Sequence, residues 1–264
     1  MMRKNRHPDI ILTIFAVSVD CIASGGFLFR AIFTQVPYNI LEIHYSWCTY
    51  DVLVNNLFIT YSGHVLSILS IQRMLLIVFN IRVNIIFWIV IAVALCLFSW
   101  IQALIQSIKG YAGLSMLKIF CFIKSSSPPS KPFYYTLLVT TVLTYSTTII
   151  SYLTIIVFSV KQCLKQLELN LDKTKVYREC RTIILKSLFF LLPYMTIYFG
   201  RMFCWFYELS TGKPRTWNME YISMALYSSS IIVNCSTVLY MNKEVNKEFI
   251  NLVINLKRAV YTNN

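Results

Sequence analysis

The chain has 264 residues, with 24 Lys and Arg against 11 Asp and Glu and a formal net charge of +13. It is 57% hydrophobic but only 13% charged, with a mean hydropathy of +0.61, whereas a soluble domain carries roughly 25% charged residues. That density cannot coat a globular surface, which speaks against both a disordered chain and a soluble enzyme, and 7 Gly and 7 Pro exclude collagen-like or low-complexity chains. The apolar excess requires lipid as solvent. At about 20 apolar residues per helical span, the chain has room for six or seven spans, short loops and no separate soluble domain.

The first apolar stretch, 10–33, is interrupted only by Asp20 and Arg30. It follows Arg3, Lys4 and Arg6 as a signal peptide would, but its apolar run exceeds the signal core of about 7–15 residues. The second, 47–79, is polar in its first half, with Asp51, Asn55, Asn56, Tyr61, Ser62 and His64. Asn55 and Ser62 recur at roughly helical spacing, so one face is expected to look into a bundle or cavity. Stretch 85–108 is the cleanest; 133–160, 182–209 and 221–240 follow, and 242–256 reads as a short amphipathic helix. Lengths of 20–33 residues favour helices, because strands rarely exceed about ten, and the alternation of a lipid-facing barrel is missing. The expected fold is all-α: one polytopic transmembrane bundle over 1–264 with six spans.

Orientation follows the basic residues. With the N-terminus inside, 16 of the 24 Lys and Arg fall on inner segments: Arg3, Lys4, Arg6, Arg73, Arg82, Lys161, Lys165, Lys173, Lys175, Arg178, Arg181, Lys186, Lys243, Lys247, Lys257 and Arg258. Arg201 is among the eight at outer positions. Both termini are therefore expected in the cytoplasm, facing anionic lipid. The basic residues are split among separate inner segments, so nucleic acid is not an expected partner. No phosphate-binding, metalloprotease, Cys-x-x-Cys or nucleophile-elbow motif occurs, and His7, His44 and His64 are scattered, so no enzyme is expected. Asp20 stands near the centre of the first span, where an ionisable group costs about 2.5–3.5 kcal/mol on insertion scales. It reads either as a hydrogen-bonded link between helices or as an ion- or proton-linked switch.

The chain resembles the rhodopsin-like G-protein-coupled receptors at several degraded motifs. Ser70-Ile71-Gln72-Arg73-Met74-Leu75-Leu76-Ile77-Val78 looks like the S-V-D-R-Y-L-A-I-V signature at the inner end of the family's third helix, with Gln72 in place of the acid and Met74 in place of the Tyr. Cys48 stands 25 residues before Arg73, where the family has an outer Cys, and Asp20 stands 28 before Cys48, close to the family's second-helix Asp. Trp88 or Trp100 matches the fourth-helix Trp, and Cys121 falls in the second outer loop. Leu192-Pro193-Tyr194 resembles W-x-P-Y, and Asn234-Cys235-Ser236-Thr237-Val238 resembles N-P-x-x-Y, eight residues before the start of the amphipathic segment at Asn242. The resemblance covers about residues 8–256. It begins at the second helix, so residues 1–8 look like the first inner loop. The expectation is a chain without the first of seven helices, as a truncated gene product or a six-helix relative.

The resemblance implies a plasma-membrane receptor that takes an extracellular ligand and acts on a heterotrimeric G protein. It implies a Cys48–Cys121 disulfide, and G-protein coupling through Arg73, with Tyr152 as its active-state partner, Pro193 as a hinge and Asn234 in the core. It implies a sodium ion among Asp20, Ser62, Ser230 and Asn234. It places the ligand pocket at Asp51, Asn55, Asn56, Tyr194, Tyr198, Trp205 and Tyr227. Amine receptors of the family carry an Asp where Asn55 stands, and Asp51 lies one turn further out. Gln72 cannot restrain Arg73 by an ion pair, so raised basal activity is expected. The alternative is a small transporter or channel subunit that uses Asp20 and the polar second span; a third reading is a nonsignalling membrane fragment.

Overall fold

The computed structural model describes residues 8–35, 37–123, 130–169, 172–241 and the pairs 246–247, 250–251 and 254–255. The expected amphipathic segment 242–256 lies for the most part outside them, as do Arg3, Lys4 and Arg6. The described chain runs α1 (Pro8–Phe33), α2 (Ile40–Ile43), α3 (Tyr45–Tyr50), a π-helical turn (Asp51–Asn56), α4 (Leu57–Val78), α5 (Ile85–Ile108), β1 (Ala112–Leu114), β2 (Cys121–Ile123), α6 (Lys131–Glu168), α7 (Lys173–Thr211) and α8 (Trp217–Met241).

Five helical segments are long and apolar enough to cross a membrane: Ile11–Phe33, Tyr45–Val78, Ile85–Ile108, Lys131–Glu168 and Lys173–Thr211. The helix over the sixth expected span, α8, has 25 residues but is not among the five; its Ser223, Ser228, Ser229, Ser230, Asn234 and Thr237 dilute its apolar content. Ridges of apolar side chains cover the outside of the bundle. On α5 alone, Ile86, Phe87, Val90, Val93, Leu97, Phe98, Ile101, Ile105 and Ile108 are exposed. A continuous apolar surface of this kind is stable only against lipid or another protein.

The buried share of each span shows which helix is central. In Tyr45–Val78, 72% of the apolar window is buried, against 11% in α5. Accordingly α4 packs on α1, α5 and α6, while α7 lies between α6 and α8, and α8 closes back on α1. This explains the polar run in the second stretch. Ser62, His64, Ser67 and Ser70 are buried because the central helix is packed against several others, and the Ser62 hydroxyl finds on α1 a partner that lipid cannot supply.

Two helices outrun their expected spans. α6 continues to Glu168 and α7 begins at Lys173. Their extra turns contain Lys, Arg, Gln, Glu and Leu, good helix formers too polar for a hydropathy reading. Helix ends follow local chemistry. Asn84 and Asp172 accept hydrogen bonds from the backbone N–H groups of Ile86 and Thr174, each at 3.0 Å, as N-caps do. Gly212, with φ of 67°, ends α7 in the left-handed conformation and its N–H donates to the Glu208 carbonyl, the glycine stop expected at a helix end.

The stretch between α5 and α6 holds an antiparallel hairpin, with Ala112 opposite Ile123 and Leu114 opposite Cys121. It is bonded to the bundle by the Cys48–Cys121 disulfide, with 5.4 Å between Cα atoms across 73 residues of chain. Beside it, Asp51 has no exposed surface. Its Oδ1 accepts from Arg30 Nε at 2.8 Å and Asn55 Nδ2 at 2.7 Å. Its Oδ2 accepts from Arg30 Nη2 at 3.1 Å and the Cys121 N–H at 2.7 Å. One carboxylate thus ties α1, the π-helical turn and the hairpin together. Gly26 allows the close approach of α1, since a Cβ there would stand 2.7 Å from Asn55 Oδ1.

Removing one partner of a buried ion pair costs about 3–5 kcal/mol, because the other charge is stranded. Asp51→Leu is therefore expected to lower the thermal unfolding midpoint in nanodiscs sharply. The Arg30→Met, Asp51→Leu double variant should recover part of that loss. An unchanged midpoint for the single variant would show that the pair holds nothing together.

Candidate functional site

Three groups far apart in sequence meet at mid-bundle. Asp20 of α1 accepts a hydrogen bond from the hydroxyl of Ser62 of α4. Asn234 of α8 donates from Nδ2 to Asp20 Oδ1 at 3.3 Å and to Ser62 Oγ at 3.1 Å. All three side chains are buried. Ser230, one turn before Asn234, is buried too, but among the described residues no hydrogen bond joins its hydroxyl to Asp20 or Asn234. A sodium ion needs several converging oxygens. Here Asp20 and Ser62 present oxygens, while Asn234 presents its N–H group and satisfies both. The set is complete as a hydrogen-bonded link between three helices.

At the C-terminal end of α4, Arg73 Nη1 donates to the Tyr152 hydroxyl of α6 at 3.3 Å. The Tyr152 ring stacks on Phe190 of α7, with 4.4 Å between centroids. From there a column of rings climbs one face of α7. Phe190 to Tyr194 is 5.7 Å, Tyr194 to Tyr198 is 4.6 Å, and Tyr198 meets Tyr227 of α8 edge-on at 6.1 Å. The spacing 190, 194, 198 is the i, i+4 repeat that stacks side chains along a helix. Pro193 lies inside α7, where its missing N–H leaves one backbone hydrogen bond unmade; it sits at the level where Tyr194 bonds to Thr148 at 3.3 Å. Gly63 makes room for the column, since a Cβ there would stand 2.6 Å from Tyr198 Oη.

The column ends beneath two cavities. A larger one of about 60 Å³ lies between α4, α5, α6, α7 and the hairpin, and Asn56, His64, Phe133, Arg201 and Trp205 are on its wall. A smaller one of about 10 Å³ touches Tyr194, Tyr198, Trp205 and Tyr227. Of the seven residues expected around a ligand, five line the cavities: Asn56, Tyr194, Tyr198, Trp205 and Tyr227. Asp51 and Asn55 line neither. Asp51 is engaged by Arg30, and Asn55 donates to Asp51, so the carboxylate does not face the cavities as a counter-ion for an amine.

Sequence reasoning overlooked two arginine pairs and one arginine within the outer layer. Arg215 donates from Nε and Nη2 to the two carboxylate oxygens of Glu208, both at 2.9 Å, and Arg30 grips Asp51 in the same two-pronged manner. Arg201 projects from the middle of α7's outer half. The rule that flagged Asp20, an ionisable group inside an apolar stretch, applies equally to Arg30 and Arg201. Assigning them to outer helix ends hid them.

If Asp20 serves as a hydrogen-bonded link, exchanging potassium for sodium at constant ionic strength should leave the unfolding midpoint unchanged. Asp20→Ala, which strands two buried donors at about 1–3 kcal/mol, should lower it in either salt. Stabilisation by sodium alone, abolished in Asp20→Ala, would show an ion site instead.

No protein-family model matches this chain and no curated protein matches it, so the functional reading stands on the residues and their geometry.

Proposed function

We propose that this chain is a receptor of the rhodopsin-like G-protein-coupled type, resident in the plasma membrane with its inner helix ends in the cytoplasm. It takes an extracellular ligand in the outer cavity and acts on a heterotrimeric G protein at the inner face. One observation carries the reading: Asp20, Ser62 and Asn234, picked out by family spacing across 214 residues of chain, converge in one buried cluster. Independent helices in a bundle have no reason to bring those three side chains together by chance. The contact between Arg73 and Tyr152 at the inner end adds support.

The geometry suggests how signalling would work. A ligand in the outer cavity presses on Trp205 and Arg201 of α7. Pro193 makes α7 compliant midway, because one backbone bond is absent there. Movement of α7 shifts Phe190, on which Tyr152 stacks, and so alters the Arg73–Tyr152 contact at the G-protein face. The resting state is set by the relative energy of the two packings, and the ligand acts by binding one of them better. Gln72, buried beside Arg73, carries no charge and supplies no ionic restraint from that position, so a measurable basal activity follows.

The test is guanine-nucleotide exchange by a panel of purified heterotrimers on nanodiscs containing the chain. Exchange should exceed that on empty nanodiscs without added ligand, and Arg73→Ala should reduce it at least about fivefold, the lower range of coupling between sites. Exchange no faster than on empty discs across the panel, or an Arg73→Ala variant equal to the parent, would refute the receptor reading.

A further inference from the structure

The outer layer of the bundle holds three buried or half-buried arginines, and they are not equivalent. Arg30 is paired with Asp51 and Arg215 with Glu208. Arg201 has no carboxylate partner among the described residues. Its Nη2 donates to the amide oxygen of Asn56 at 3.0 Å. Its guanidinium lies over the rings of Tyr227 at 4.2 Å and Trp205 at 5.2 Å. Its Nε is buried with no hydrogen-bond partner. The remaining buried acid of this layer, Glu220, is directed elsewhere: its Oε2 accepts from the Leu117 N–H at 3.3 Å, in the hairpin turn.

A charged group in this environment is costly unless paired. Stacking on two rings and one amide hydrogen bond offset part of that cost. Neither supplies a counter-charge. The guanidinium borders the larger cavity, and Arg215 adds a second positive side chain to the same wall. Most of the rest of the wall is apolar or aromatic, including Phe98, Phe120, Phe122, Phe133 and Leu137. The cavity's free space is about 60 Å³, less than a preformed small-molecule site holds, so an occupant has to part the aromatic side chains of the wall.

We propose that this cavity binds a small amphipathic organic anion, with its carboxylate on the guanidinium of Arg201 and its apolar body against the aromatic wall. The inference rests on the receptor reading only in treating the cavity as the ligand site; the charge argument stands without it. A guanidinium with unused N–H donors is shaped for two parallel bonds to a carboxylate. An amine is repelled by Arg201, and the acid that would have received it, Asp51, is enclosed by its own four donors.

The experiment measures binding to the chain in nanodiscs of zwitterionic lipid, using dodecanoate, phenylhexanoate and naphthylacetate as probes. The methyl esters and the corresponding primary amines are the controls. At least one carboxylate should bind about tenfold or more tightly than its ester and its amine, as expected for one charge-assisted contact. Arg201→Met should remove that preference, weakening the acid about tenfold while leaving the ester unchanged, and Arg201→Lys should restore part of it. Retained ester binding and an intact Cys48–Cys121 bond report that the Met variant has folded; if it does not fold, an Asn56→Asp variant, which supplies Arg201 with an internal carboxylate, should weaken the acids in the same way. Equal binding of acid and ester, acid binding indifferent to Arg201 and Asn56, or no acid binding at all would overturn the proposal. Nucleotide exchange separates the two readings. Acid that binds through Arg201 without changing exchange preserves the anion site and counts against the receptor; exchange driven by an ester or amine but by no acid preserves the receptor and refutes the anion site.

Discussion

A carboxylate without exposed surface must have its oxygens satisfied from within the protein, and Asp51 shows what that requirement organises. Its four donors come from α1, the π-helical turn and the first residue of β2. Each donor fixes an element that would otherwise be held only by lipid-like packing. Between helices in a bilayer the hydrophobic effect contributes little, so hydrogen bonds and close contact set the arrangement. The disulfide one turn away adds a covalent tie to the same place. Together they hold the hairpin over the bundle, and Phe120, Phe122 and Ile123 of that hairpin form part of the cavity wall. The existence of the cavity thus depends on a charge pair that does not touch it.

The other organising element is one face of α7. Phe190, Tyr194, Tyr198, Arg201 and Trp205 follow each other at steps of three or four residues, so they line a single stripe. The stripe runs from the Arg73–Tyr152 contact to the outer cavities. Pro193 and Gly63 both serve it. The proline weakens the helix backbone in the middle of the stripe, and the glycine lets the Tyr198 ring reach the backbone of α4. Rings in direct contact pass a displacement from one to the next, which gives the two ends of the stripe on α7 a physical connection.

The hydropathy pattern revealed the spans because lipid imposes a length and an apolar composition on each segment. Stretch 85–108 coincides with α5, the helix that faces lipid most and is least shaped by its neighbours. The match is poorer where other forces act. The polar ends of α6 and α7 are helical through propensity and neighbour contacts, and hydropathy does not register them. The hairpin owes its position to Cys121 and Asp51, contacts over 70 residues or more that no local pattern encodes. Asp51 shows the limit at a single side chain. Its charge and its place on the second span suggested a ligand partner, but it is consumed by Arg30, one element earlier in the chain.

The sequence by itself determined that the chain forms long helices and that several of them are apolar enough to cross a membrane. Those properties follow from composition, periodicity and topology, each local or cumulative along the chain. Only the tertiary structure decided which charges are spent and which are free to act. Arg30, Arg201 and Arg215 are the same residue type in similar apolar surroundings. Among the described residues two meet a carboxylate and one does not, because pairing depends on where distant helices place their side chains. A buried charge takes its meaning from its neighbours, and neighbours are assigned by folding.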